Sequence, residues 1–363
     1  MTARPPRSRR VVVVGGGISG LACAHEVLRA GKPSRPVEVS VFEAAGRVGG
    51  KLHTIDLDGM PVEAGADSFV VRKPWAVELC NELGLEDQVV IPGSMGAYVW
   101  TARGLVPFPD RAPFGIPGEV GELLRWPGLS RGPKLRALLD LVRPARRGTG
   151  DESLGELLRR RFGPGMAGTM VEPLLSGLHA ADPLRLSVDA TFPELRAWER
   201  RHGSLLRGAR AATRSQEEEA GRQPLFASVW GGLTHLVDRL VGRIGPDRIR
   251  IDHPVSAVSC GGGLSVRAAG ADYPADSIVL ATPAFESARL LREANPEAAA
   301  GLSAIPYVST GVVLLAYPDG SAAKLPEGSG FVVPPGHWTI TACTWLSRKW
   351  PHPAYGDRAV VRC

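Results

Sequence analysis

At 363 residues, 44% of them hydrophobic and 22% charged, the chain exceeds the size at which one hydrophobic core stops growing, so two or three domains are expected. No apolar run approaches the roughly 18 residues that cross a bilayer, which excludes a membrane-spanning helix. The net charge of +6 suits an anionic substrate, an acidic lipid surface or nucleic acid; nucleic acid is set aside, because there is neither zinc-finger spacing nor a basic stripe interleaved with aromatics.

Arg4, Arg7, Arg9 and Arg10 resemble the basic start of a signal peptide, but the valines at 11–14 run straight into glycines instead of a long apolar segment, so a cytoplasmic protein is expected. That β-branched run predicts a strand. Glycines follow, and then Ile18, Leu21, Ala24 and Leu28 recur at helical spacing up to Gly31. Val37, Val39 and Val41 alternate in a second strand closing at Phe42 and Glu43, so residues 11–43 read as one βαβ unit and imply a parallel sheet.

From 113 to 221, Leu/Arg-rich helical stretches such as 153–162 are separated by Pro and Gly, the pattern of a helical insertion. Within it, Leu154, Leu157, Leu158, Arg159, Arg160 and Arg161 make either an amphipathic face for a membrane surface or one side of a core helix. Residues 215–223, with Glu217, Glu218 and Glu219, predict a solvated loop. Strands return at 249–251, 264–266, 277–280 and 312–315.

Gly15, Gly17 and Gly20 satisfy G-x-G-x-x-G between a strand and a helix. The first glycine permits a tight turn, the second lets the backbone approach a pyrophosphate, and the third allows close helix–strand packing. The helix start, with Ile18 and Ser19, then offers free N–H groups and a positive dipole end to the anion. Glu43 ends the second strand, where its carboxylate accepts from ribose hydroxyls and repels a 2′-phosphate. NAD and FAD remain open at this point, since the same unit serves both.

Glu43-Ala44-Ala45-Gly46-Arg47-Val48-Gly49-Gly50-Lys51 resembles the E-x-x-x-R-x-G-G pattern of the amine oxidase, phytoene desaturase and protoporphyrinogen oxidase superfamily, which implies FAD. Arg47 is expected to neutralise pyrophosphate charge, and Gly49 and Gly50 to let main chain pass close to the cofactor. A P-loop is excluded, because Walker A needs glycine where Ala45 stands and Ser or Thr where Leu52 stands. Glu63-Ala64-Gly65-Ala66-Asp67-Ser68-Phe69, with Arg72-Lys73-Pro74, resembles the stretch lying along the flavin in bacterial porphyrinogen oxidases, although Ala66 replaces a usual proline. Trp230-Gly231-Gly232-Leu233, His253-Pro254-Val255 and Leu280-Ala281-Thr282-Pro283-Ala284 are similar to later flavin segments of that family, where the main chain at Val255 meets the adenine. Ser176-Gly177-Leu178-His179-Ala180-Ala181-Asp182-Pro183 is similar to its helical-domain signature.

The resemblance implies an α/β (α+β, multi-domain) architecture. Its parts are a Rossmann-like FAD-binding domain (1–74 and 226–284), an incomplete β-sheet substrate domain (75–112 and 285–363) and a helical insertion (113–225). The implied cofactor contacts are Gly15, Gly17, Ile18, Ser19, Gly20, Glu43, Arg47, Gly49, Gly50, Lys51, Gly65, Ala66, Asp67, Ser68 and Val255. The implied reaction is oxygen-dependent oxidation of coproporphyrinogen III or protoporphyrinogen IX, with the porphyrinogen and molecular oxygen as the chain's small-molecule partners. Arg72, Lys73 and Arg103 are candidates to pair with substrate propionates. No side chain is assigned as catalytic acid or base, His179 and His235 lacking an evident partner. Another flavin oxidase or desaturase, a non-catalytic flavoprotein and a membrane-surface module stand as alternatives. The five cysteines are scattered, with no C-x-x-C pair, and predict neither a disulfide nor a metal site. Family chains run on to a second glycine-rich flavin segment, whereas this chain stops in a strand-like stretch at Cys363, so it reads as a fragment.

Overall fold

A computed structural model describes residues 8–71, 73–109, 112–146, 148, 150–218, 224–336 and 338–363. The chain divides into two compact units, Met1–Ile91 with Leu225–Tyr307, and Pro92–Pro224 with Val308–Cys363.

The first unit is organised by β1 (Arg9–Val14), α1 (Ile18–Ala30) and β2 (Val37–Phe42). β1 lies between β2 and the strand Ser277–Leu280, parallel to both, with Val14 opposite Phe42 and Leu280; the short strand Ile249–Arg250 extends the sheet beyond β2. Four consecutive valines suit β1 because both faces of this parallel sheet are covered. Val11 and Val13 pack with Leu21, Ala24, Leu236 and Leu240, under α1 and the helix Thr234–Ile244. Val12 and Val14 pack on the opposite face with Val255, Val258 and Val266, from the three-stranded antiparallel sheet that spans 255–275.

The second unit joins a six-stranded sheet to the helices between 120 and 218. The sheet runs in the order Leu314–Ala316, Val360–Arg362, Ala342–Trp345, Gly330–Val332, Tyr98–Thr101, Gly104–Pro107. Helix Leu154–Phe162 starts at a capping box: Ser153 Oγ accepts from Glu156 N–H at 3.2 Å, and Glu156 Oε2 accepts from Ser153 N–H at 3.0 Å. Leu154, Leu157, Leu158 and Phe162 are fully buried in the helical core, which removes the membrane-surface reading of this helix. Among the described residues no helix is long and apolar enough to cross a membrane.

Of the arginines that follow those leucines, Arg161 is turned inward, Arg160 is half-buried and Arg159 stays exposed. Arg161 is 0% exposed; its Nε donates to Asp140 Oδ1, Nη2 donates to the carbonyls of Asp140 (2.7 Å) and Gly203 (2.6 Å), and Nη1 reaches Glu199 at 3.3 Å. Arg160 donates to Glu152 and Glu199, each at 2.7 Å, and Arg159 to Glu172 at 3.0 Å. A charge as deep as that of Arg161 persists only when paired and hydrogen-bonded.

Burial works to raise the Glu199 carboxyl, but hydrogen bonds from Arg160 outweigh it and hold the group below its ordinary value of 4.5. A depressed carboxyl contributes stability that is complete above the unfolded value and is lost as the pH falls through the folded one. Glu199→Gln is therefore expected to flatten the fall of melting temperature below about pH 4.5, and to cost about 2 kcal/mol at neutral pH; thermal denaturation across a pH series checks both.

The predicted loop at 215–223 is corrected over its first part. Helix Leu205–Glu218 carries through 215–218, anchored at its start by buried Leu205, Leu206 and Ala209 and continued by good helix formers. Residues 219–223 lie outside the described residues.

Candidate cofactor site

The glycine loop closes at the carboxyl end of β1. Gly15 has φ +106°, and its N–H donates to Phe42 O at 2.8 Å, which turns the chain out of the sheet. A Cβ at Gly20 would stand 1.9 Å from Gly15 O, so only glycine lets α1 start this close to the turn. A Cβ at Gly17 would meet no protein atom within 4 Å. The main chain there faces open space at the start of α1, whose first turn has no side-chain cap and so presents its N–H groups outward.

Glu43 lies across this turn. Its Oε2 accepts from Gly16 N–H at 2.7 Å and its Oε1 from Ala45 N–H at 2.8 Å, which fixes the carboxylate while leaving lone pairs on both oxygens. The 47–51 segment is held against the loop: Gly49 N–H donates to Gly16 O at 2.8 Å, and Gly17 and Gly49 form a parallel bridge. Arg47 turns its fork onto carbonyls of its own loop, Nη1 donating to Val48 O at 3.0 Å and Nη2 to Gly50 O at 2.7 Å. Positive φ at Gly49 and Gly50 turns the chain so that these carbonyls converge on one guanidinium.

The remaining predicted positions gather around the same loop. Ala66 N–H donates to Lys51 O at 3.1 Å, and a Cβ at Gly65 would meet that oxygen at 1.9 Å, so 65–66 runs directly beside Lys51. Asp67 is buried and accepts from Ser68 Oγ at 2.9 Å. His253 N–H donates to Glu43 O at 2.9 Å and Asp252 N–H to Ala45 O at 3.1 Å. Val255, two residues on, begins the strand Val255–Ser259 beside Glu43, and its carbonyl accepts from Arg289 Nη2 at 3.0 Å.

The propionate candidates are less gathered. Arg72 and the His179 side chain lie outside the described residues. Lys73 Nζ sits 5.6 Å from the centre of the Trp75 ring, and Arg103 is exposed, with Nη1 3.4 Å from Pro127 O. His235 fills the space beside Gly231, where a Cβ would meet its Cε1 at 2.7 Å. Among the described residues no cluster of His, Cys, Asp and Glu is placed to hold a metal ion.

Sequence reasoning missed a buried knot under the site. Glu63 Oε1 accepts from Leu233 N–H at 2.6 Å and from Thr54 Oγ1 at 2.9 Å, while Thr54 and Thr234 exchange backbone-to-hydroxyl bonds at 2.8 and 3.0 Å. It ties the hairpin Thr54–Leu57 and Met60–Glu63 to the Gly231-Gly232 turn. The available signal was an acid at the end of an apolar strand, facing a double-glycine turn much later in the chain.

An open backbone at Gly17, uncapped N–H groups and a fixed carboxylate at Glu43 fit the pyrophosphate and ribose of a dinucleotide. Comparison with known proteins identifies which one. A family model for flavin containing amine oxidoreductases matches residues 18–352. A coproporphyrinogen III oxidase of Bacillus subtilis (strain 168) is 35% identical over 361 residues, covering 98% of this chain and 76% of the relative. Another, from Propionibacterium freudenreichii subsp. freudenreichii, is 36% identical over 352 residues, covering 89% of this chain and 66% of the relative. A crystal structure from Exiguobacterium sp. 255-15 superposes with a TM-score of 0.85 at 33% identity, covering 98% of this chain and 76% of that one. The chain belongs to the flavin containing amine oxidoreductase family and is an FAD-dependent oxidoreductase.

Proposed function

We propose that this chain oxidises coproporphyrinogen III to coproporphyrin III, with molecular oxygen as the final acceptor. The observation that carries the reading is 35% identity, along 98% of the chain, to a coproporphyrinogen III oxidase. FAD, when bound, accepts the hydride equivalents leaving the saturated bridging carbons. The protein's part is to bind, orient and exclude water.

In this reading the α1 N–H groups and the Gly17 backbone hold the pyrophosphate, and Glu43 accepts from the ribose. Arg47 keeps 48–52 in shape while its charge offsets the phosphates. Lys51 and residues 65–68 run beside the flavin, and the main chain at Val255 meets the adenine. Residues 1–74 with 226–284 act as the FAD-binding domain, 75–112 with 285–363 as the substrate domain, and 113–225 as a helical insertion. A substrate with four propionates suits a chain of net charge +6, and Lys73 and Arg103 are its proposed anchors.

Anaerobic mixing of the FAD-loaded chain with each porphyrinogen tests this. Coproporphyrinogen III is expected to bleach the flavin and yield porphyrin fluorescence, faster than protoporphyrinogen IX does. The reverse order would reassign the substrate, and no fluorescence from either would end the proposal.

A further inference from the structure

Cys343 and Cys363 are distant in sequence and adjacent in the fold. Strands Ala342–Trp345 and Val360–Arg362 are antiparallel, with Thr344 opposite Arg362 and Trp345 opposite Val361. The same register sets Cys343 opposite Cys363. What kind of pair they make follows from their neighbours' hydrogen bonds. Cys363 exchanges both main-chain bonds with Val313, at 2.9 and 2.8 Å, so its N–H and C=O point away from Cys343. On the other strand Trp345 N–H donates to Ser329 O and Thr341 O accepts from Val333 N–H, each at 2.9 Å. Alternation then turns the N–H and C=O of Cys343 away from Cys363 as well. The two occupy a non-hydrogen-bonded site of the ladder, where facing Cα atoms are about 4.5 Å apart and side chains come closest. That spacing lies inside the range of about 4.4–6.8 Å that a disulfide spans.

Both side chains project onto one face, packed with Trp345, Val361, Tyr98 and Leu325. The thiols are free and hydrogen-bonded to one another. Cys343 is buried and Cys363 half-exposed, so a small oxidant meets Cys363 first.

We propose that Cys343 and Cys363 form a reversible redox pair, which closes to a cross-strand disulfide when a hydroperoxide reaches Cys363. The Cys363 thiolate attacks hydrogen peroxide: an S–O bond forms, the O–O bond breaks, and the departing hydroxide leaves as water with the proton that Cys363 released. Cys363 is now a sulfenic acid. The Cys343 sulfur attacks the Cys363 sulfur, forming S–S and breaking S–O, and the second hydroxide takes the Cys343 proton and leaves as water. Two thiols are oxidised, one peroxide is reduced, and two waters are made. Burial, and then the hydrogen bond with Cys363, pushes the Cys343 thiol up to about 12, which keeps it protonated and unreactive until the sulfenic acid forms beside it. Turnover with molecular oxygen, which belongs to the proposed function, would supply peroxide, but the chemistry of the pair stands without it. A dithiol reverses the bond by exchange.

The test is peptide mapping of the whole chain after equimolar hydrogen peroxide and alkylation of the remaining thiols. The expected product is a linked peptide containing Cys343 and Cys363, lighter by two hydrogens and cleaved by dithiothreitol, with Cys23, Cys80 and Cys260 alkylated. The bond is also expected to raise the melting temperature by roughly 5 °C. Cys363→Ser should keep the unoxidised melting temperature and lose both the linkage and the rise. Cys363 accumulating as sulfinic or sulfonic acid beside an alkylatable Cys343, or a linkage to any other cysteine, would overturn the proposal.

Discussion

Asp140→Ala is expected to destabilise the protein by about 3–5 kcal/mol, the cost of removing one partner from a buried ion pair. Asp140 is 0% exposed and serves four contacts. Its Oδ1 accepts from Arg161 Nε, its Oδ2 from Ser204 Oγ at 2.5 Å and from Leu206 N–H at 2.9 Å, and its carbonyl from Arg161 Nη2 at 2.7 Å. Alanine removes the carboxylate, strands the hydroxyl and the amide, and leaves a fully buried guanidinium with Glu199 as its remaining carboxylate partner. Urea denaturation followed by tryptophan fluorescence reads the loss, because Trp126 and Trp198 pack in or against that core. Replacing both members, Asp140→Leu with Arg161→Met, is expected to recover much of it, since no unpaired charge remains. Arg267→Ala, which breaks an exposed pair with Asp272 at 2.8 Å, is expected to give no measurable change. Equal losses from Asp140→Ala and Arg267→Ala would show that the network is not what holds the helical part together.

That network was invisible in the sequence for a physical reason. Arginine is almost never fully buried unless paired, and the partners of Arg160 and Arg161 come from Asp140, Glu152 and Glu199, on elements whose packing no local pattern encodes. The leucines before them carried a correct helical period but no information about what the helix faces. The cofactor loop is the opposite case. Strand, turn, helix, strand and terminal acid follow one another within 11–43, so short-range rules suffice, and Gly15, Gly20 and Glu43 stand where the spacing put them. Arg47 falls between: its place in the loop was readable, but its grip on the carbonyls of Val48 and Gly50 depends on the φ of two glycines. The opposition of Cys343 and Cys363 depends on register, which is set by both strands together.

The two helix-start glycines separate cofactor binding from folding, and their alanine variants are expected to behave differently. At Gly17 the backbone has φ −70° and ψ 175°, which any residue adopts, and an added Cβ meets no protein atom within 4 Å. Gly17→Ala therefore leaves the stability of the FAD-free protein within about 1 kcal/mol, weaker N-capping being offset by a less flexible unfolded chain. The same methyl enters the space that the pyrophosphate needs. FAD affinity is expected to fall about 10- to 100-fold, the equivalent of roughly 1–3 kcal/mol of overpacking. At Gly20 the added Cβ would stand 1.9 Å from the carbonyl oxygen of Gly15, and that oxygen belongs to the backbone and cannot swing aside. Gly20→Ala must push α1 off the turn, so it is expected to lower the melting temperature of the FAD-free protein and to weaken FAD together. Equilibrium titration with FAD, paired with thermal denaturation of the stripped protein, distinguishes the two. If Gly17→Ala bound FAD as tightly as the parent, the cofactor's phosphates would not lie against this turn, and the assignment of the loop would have to be abandoned.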